Sequence, residues 1–255
     1  MVVVEHCHDR HRPSIRCRAE PDPAGNSPSP GARCADMRIG IIGAGNIGGT
    51  LTRRLSELGH EVRVANSRDP ETLAELAAET GATAVWASEA ADGAELVIVS
   101  IPQKNVPDLA PGILSGALPG APVIETNNYY PKQRDGKIDA IEAGQTESSW
   151  VAEHLGTPVI KAFNGIFWKH LLEKGTAPGT PGRIALPIAG ADGPAKTTVL
   201  QLVDELGFDP VDAGSLEESW QQQPGTPVYG KDYGVEETRK ALAEAEPERP
   251  ADFRF

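Results

Sequence analysis

One short stretch narrows the possible folds of this chain more than any other feature. Arg38-Ile39-Gly40-Ile41-Ile42 is an apolar run of strand length, and Gly43-Ala44-Gly45-Asn46-Ile47-Gly48 follows it directly. A GxGxxG pattern alone is weak. Here it sits between a strand and a segment of helical spacing, with Ile47, Leu51, Leu55 and Leu58 on one face and Gly59 at its end. In that setting each glycine has a physical task. Gly43 makes the tight turn, Gly45 lets the backbone approach a pyrophosphate, and Gly48 lets the helix pack on the strand. Free N–H groups at the helix start then favour an anion.

The rest of the chain repeats the alternation. Strands are expected at 61–65, 83–86, 95–100, 121–126 and 157–162, and later at 183–189 and 208–211. Asp69-Pro70 reads as a cap and first-turn proline for a helix ending at Gly81, with Leu73, Leu76 and Ala77 buried. Further helices are expected at 167–173, 194–206 and 236–246. Alternating strands and helices imply right-handed crossovers and a parallel sheet covered on both faces. The fold class is therefore α/β, a Rossmann-like doubly wound parallel sheet with a smaller C-terminal cap. Residues 37–162 form the dinucleotide-binding domain in this reading. Residues 163–255 form the smaller domain, with substrate and dimer contacts and a frayed tail.

Residues 1–36 differ in composition. They hold all three cysteines and a Pro/Ser/Gly-rich run at 21–31, and read as a disordered extension. His6, Cys7, His8, His11 and Cys17 are metal-ligand types, but their spacing matches no closed structural site, and no metal is assigned. Met37, directly before the first strand, would suit a start codon placed too early upstream. With no cysteine in the body, disulfides cannot hold the core, and a cytoplasmic location is the default. The net charge of −12 falls entirely on the body and argues against nucleic acid and anionic membrane as partners.

The end of the second strand selects the dinucleotide. An NAD site usually places an acidic side chain there for the ribose hydroxyls. This chain reads Ala65-Asn66-Ser67-Arg68 instead. Arg68 can pair with a 2′-phosphate and stack on adenine, and Ser67 can donate a hydrogen bond. The expected cofactor is NADP.

Several segments together resemble the NADPH:F-420 (deazaflavin) oxidoreductase family. They are Arg38 to Gly49, Asn66-Ser67-Arg68, Ser100-Ile101-Pro102, Thr126-Asn127-Asn128-Tyr129, Lys161-Ala162-Phe163-Asn164 and Gly214-Ser215-Leu216. Similar domains form the cytosolic reductase part of membrane metalloreductases. The resemblance implies hydride transfer between NADP(H) and coenzyme F-420 or a flavin-like acceptor. It implies that Asn66, Ser67 and Arg68 hold the adenosine phosphate, and that Ser100, Ile101 and Pro102 line the cofactor cleft. Ala162, Phe163 and Asn164 would place the nicotinamide, and the family's habit is a homodimer. One departure stands out: residues 69–79 contain no Lys or Arg, where relatives often carry a second basic residue.

Hydride transfer to a deazaflavin obliges no protein acid, so no catalytic residue is assigned. Tyr129, Phe163, Asn164 and Trp168 are the candidate substrate residues, with Phe167 a further wall. Trp220 to Tyr229 reads as a polar loop that closes over the site. Two other readings stay open. One is reduction of a small imine or carbonyl, with Tyr129, Tyr130, Lys161 or His170 as proton donor. The other is a non-catalytic NADPH sensor.

Overall fold

A computed structural model of the chain describes residues 36–255. The readings made above for residues 1–35 lie outside it. Strand β1, Arg38–Ile42, buries all but its first residue and leads into helix α1, Asn46–Glu57. The α1 stripe falls as its spacing predicts: Leu51 and Leu55 are fully buried, while Ile47 and Leu58 pack at the edge of the same core. Strand β2, Glu61–Ala65, follows. Asp69 then accepts a hydrogen bond from the Glu71 backbone N–H at 2.9 Å and starts a 3-10 turn over Pro70–Leu73. That turn runs on into α2, Ala74–Thr80, which ends at Gly81 in the left-handed region.

Strands β3 (Thr83–Ala84), β4 (Leu96–Val99), β5 (Val123–Glu125) and β6 (Ile160–Lys161) complete a six-stranded sheet. Its order is β3-β2-β1-β4-β5-β6, and every neighbouring pair is parallel. This is the doubly wound Rossmann arrangement, with the order reversing beside β1. The outer strands are shorter than the apolar runs predict. At Trp86 the chain leaves β3 for a 3-10 turn over Ala87–Glu89, and the Trp86 ring is half exposed.

No α-helix joins β4 to β5. A 3-10 turn over Gln103–Asp108, with Pro107 inside it, takes the helix's place. Between β5 and β6 lie a single π turn over Pro131–Asp135 and helices α3 (Asp139–Glu142) and α4 (Glu147–Leu155). These two helices were not anticipated. The buried face of α4 carries Glu147 and Ser148 beside Trp150 and Val151, which breaks the apolar stripe.

Beyond β6, helix α5 (Trp168–Glu173) sets Leu171 in the same cluster as Leu51 and Leu55. Strands β7 (Ala185–Ile188) and β8 (Asp209–Asp212) pair in parallel around α6 (Pro194–Glu205), and α7 (Val235–Ala243) covers them. An antiparallel bridge joins Lys161 to Ala189 through bonds of 2.8 and 3.1 Å. One hydrophobic cluster therefore runs from β1 and α1 through β6 and α5 into β7 and α6. No membrane-spanning helix occurs among the described residues.

Candidate cofactor cleft

The glycine loop assembles the way its chemistry requires. Gly43 has φ +109°, and a Cβ there would stand 2.1 Å from the Ser100 carbonyl oxygen. The turn thus presses directly on the end of β4. A Cβ at Gly48 would fall 1.8 Å from the Gly43 carbonyl oxygen, which fixes how closely α1 packs. Gly45 differs: a Cβ there meets nothing within 4 Å. It faces open space at the start of α1, where no side chain caps the helix and no acidic residue occupies the first turn. The first N–H groups of the helix are left to an anion.

The cleft in front of this loop encloses about 480 Å³. It is bounded by Gly43, Ala44 and Gly45 on one side, Asn66, Ser67 and Arg68 on another, and Ser100, Ile101 and Pro102 on a third. Segments distant in sequence thus converge because the carboxyl ends of β1, β2 and β4 lie side by side. Asn66 shapes its own loop. Its Oδ1 accepts from the Arg68 backbone N–H at 2.8 Å, and its Nδ2 donates to Thr72 Oγ1 at 2.9 Å. Arg68 is exposed, and its guanidinium pairs with no carboxylate among the described residues. Asp69 next to it is occupied as the cap of the following turn. An unpaired cation beside uncapped helix N–H groups fits an adenosine phosphate and a diphosphate in one ligand. Sequence reasoning missed Leu73, Ala87, Asn105, Asp108 and Leu109, which complete the walls.

The remaining candidates occupy several places. Asn46 lies on the rim and, with Gly45, borders an adjoining groove shared with Trp168. Ile47 packs into the core, and Gly48 and Ala162 are buried. Phe163 is also buried and holds φ at 61°, a strained conformation for a bulky residue. Asn164 closes a knot of amides: its Nδ2 donates to the Gln222 carbonyl at 2.7 Å and to Asn128 Oδ1 at 3.2 Å. Asn128 Nδ2 returns a bond of 2.8 Å to the Asn164 carbonyl. Gln222 and Gln223 are buried at the end of a 3-10 turn over Ser219–Gln222, so this stretch is packed structure.

Tyr129 is not brought to the cleft. It is fully buried in a separate cluster with Val99, Val106 and Trp150. Its hydroxyl donates to Glu142 Oε1 at 2.9 Å and accepts from the Ile138 N–H at 3.0 Å. Burial pushes this phenol up to about 12. The other possible proton donors are engaged too. Lys161 is fully buried against Glu125, His170 Nδ1 lies 2.9 Å from Asp232, and Tyr130 and Tyr229 share a hydrogen bond through their hydroxyls. Burial and that contact raise the Tyr229 phenol well above its ordinary range. No group of three or more His, Cys, Asp or Glu side chains could hold a metal ion among the described residues.

Comparison with known proteins agrees with this geometry. Residues 38–129 match the sequence model of the family described as NADP oxidoreductase, coenzyme F420-dependent. The chain is 30% identical over 181 residues to Metalloreductase STEAP3 of Rattus norvegicus, covering 70% of this chain and 34% of the relative. It spans between 34% and 42% of the length of the first curated relatives it matches. A hypothetical protein of Sinorhizobium meliloti superposes with a TM-score of 0.65 at 28% identity, over 78% of this chain and 95% of that one. A candidate F420-dependent NADP-reductase of Arthrobacter sp. FB24 shares the fold, with a TM-score of 0.57 at 23% identity, over 70% and 85% of the two chains.

Proposed function

We propose that the chain is an NADPH-dependent oxidoreductase whose acceptor is a deazaflavin or flavin-like small molecule, a reading supported by the match of residues 38–129 to the coenzyme F420-dependent NADP oxidoreductase family. The observation that carries this reading is the cleft itself. An open Gly45 and an uncapped α1 terminus face the same 480 Å³ space as the unpaired Arg68. The α1 N–H groups hold the diphosphate, and Arg68 and Ser67 hold the 2′-phosphate. Bound NADPH supplies a hydride, two electrons with one proton, and the acceptor ring takes that hydride together with a solvent proton. The chain's own work is to bind, align and exclude water.

A deazaflavin or flavin-like acceptor is supported by the family match over residues 38–129. A carbonyl or imine needs a proton delivered as hydride arrives, and the candidate donors are each engaged elsewhere: Tyr129 with Glu142, Lys161 with Glu125, His170 with Asp232 and Tyr130 with Tyr229. The likeness to a metalloreductase over 181 residues supports testing ferric chelates as well.

The test mixes the full chain with NADPH and follows loss of the reduced nicotinamide absorbance with coenzyme F-420, with riboflavin phosphate or with ferric chelate. Oxidation that is fast only with the deazaflavin is the expected result. Oxidation with flavin or iron alone moves the acceptor toward the metalloreductases. Tight NADPH binding with no oxidation by any acceptor overturns the electron-acceptor reading and leaves an organic substrate or a sensor.

A further inference from the structure

Where the carboxyl ends of β5 and β6 meet, the structure buries four charges. The side chains of Glu125, Glu147 and Lys161 are wholly inaccessible, and that of Arg249 is 13% exposed. Lys161 Nζ donates to Glu125 Oε1 at 3.1 Å and lies 3.9 Å from Glu147 Oε2. Arg249 arrives from the C-terminal segment and donates to Glu147 Oε1 and to Gln223 Oε1, both at 2.7 Å. Two carboxylates and two cations balance. A buried ion cluster is weak evidence for stability, since apolar replacements often fold as well or better. Its use must be sought in what it holds in place.

It is bonded on one side to a residue that holds the cleft wall and on the other to the segment that follows β6. Lys161 Nζ also donates to the Asn127 carbonyl at 3.0 Å, and the Asn127 N–H donates to Glu125 Oε2 at 2.8 Å. Asn127, fixed at both ends of its backbone unit, accepts the Ile101 N–H on its Oδ1 at 3.3 Å. Ile101 lines the cleft. On the other side, Gln222 Nε2 donates to the Lys161 carbonyl at 3.4 Å, and the Gln222 carbonyl accepts from Asn164. A chain of contacts therefore leads from Arg249, far along the sequence, to Ile101 and to Ala162–Asn164.

We propose that the Glu125–Lys161–Glu147–Arg249 quartet is a positioning device for the nicotinamide end of the cleft, and that Arg249 is the residue that closes it. The proposal rests on the NADP(H) reading above. It divides the cofactor's recognition in two. Arg68 and the glycine loop carry the affinity at the phosphate end, and the quartet sets the ring end, where small displacements govern transfer.

The experiment compares wild type, Arg249→Met and Arg249→Lys as full chains. Each is checked for folding by circular dichroism. NADPH Kd, the fluorescence gain of the bound reduced nicotinamide and turnover with coenzyme F-420 are then measured. In R249M the expected Kd stays within about threefold while turnover falls by up to about 100-fold, the scale set by a misplacement of about 1 Å. The fluorescence gain falls with it, because the ring is no longer held away from water. R249K, which keeps the charge, recovers part of both. If R249M does not fold, Gln223→Met, which removes one of the Arg249 contacts, replaces it. Turnover and fluorescence within twofold of wild type, or a Kd that weakens in proportion to turnover, would overturn the proposal. The fluorescence arm needs no acceptor. A wild type that fails to bind NADPH sinks the cofactor reading itself, so the two failures are separable.

Discussion

Arg68 carries the heaviest demand placed on any one side chain. Its guanidinium lies exposed at the cleft with no carboxylate partner among the described residues, so a phosphate can engage it without breaking an existing pair. Hydrogen bonds to charged groups contribute about 1.5–3 kcal/mol each, roughly 10- to 150-fold in Kd. Arg68→Ala is expected to weaken NADPH by that range and to leave NADH nearly unchanged. Parallel titrations of the two nucleotides decide it, and equal losses would remove the 2′-phosphate assignment. The placement of Arg68 at the cleft was legible in the sequence because its distance from the glycine loop is fixed by strands at both ends. Tyr129 was not. It follows β5 by a few residues, and no periodicity states which way a side chain points once a strand has ended. The structure turns it into the core between Val99 and Trp150, with its hydroxyl bonded to Glu142.

The turn from β1 into α1 separates folding from binding within six residues. Gly48 and Gly43 press on backbone, with Cβ positions 1.8 and 2.1 Å from carbonyl oxygens. Gly45 has an ordinary φ of −75° and empty space beyond it. Gly48→Ala is expected to lower stability by at least the roughly 1–3 kcal/mol typical of overpacking, seen as a lower denaturant midpoint. Gly45→Ala is expected to leave that midpoint within about 0.5 kcal/mol yet weaken NADPH, because the new methyl occupies ligand space. A Gly45→Ala variant that binds normally would show that the diphosphate does not approach this loop. The sequence announced this element clearly, since strand, glycine spacing and helical stripe all agree. It was silent on α3 and α4. There the buried face of α4 mixes Glu147 and Ser148 with Trp150, and a stripe that buries charge looks like a surface helix or a loop. The walls from Asn105 to Leu109 were hidden for a related reason. A proline-containing 3-10 turn occupies the place where a crossover helix was due.

At the scale of the whole chain, the C-terminal segment is tied to the end of β6 through one buried carboxylate, Glu147. Burial raises the pKa of Glu147, and Lys161 and Arg249 pull it back down. Glu125 lies across Lys161, and the Tyr229 hydroxyl is the other titratable group that senses this charge. A raised folded-state pKa means that the native chain keeps a proton that the unfolded chain releases above about 4.3. Its stabilising contribution is therefore full below that pH and is lost as pH rises through the folded value. Removing Arg249 removes the cation that donates directly to Glu147, so the window widens upward. Breaking one partner of a buried pair costs about 3–5 kcal/mol, which for a chain of this size is roughly 6–20 °C in Tm. Arg249→Met should show most of that loss at pH 8 and much less at pH 5, where Glu147 can take up a proton in the folded state. Adding Glu147→Gln to the same chain should flatten the difference, because no carboxyl remains to titrate there. Thermal melts of the wild type and both variants at the two pH values provide the measurement. A gap between R249M and wild type that is equal at pH 5 and pH 8 would mean that Arg249 holds the C-terminal segment through Gln223 and packing alone. Glu147 would then stay charged on the strength of Lys161.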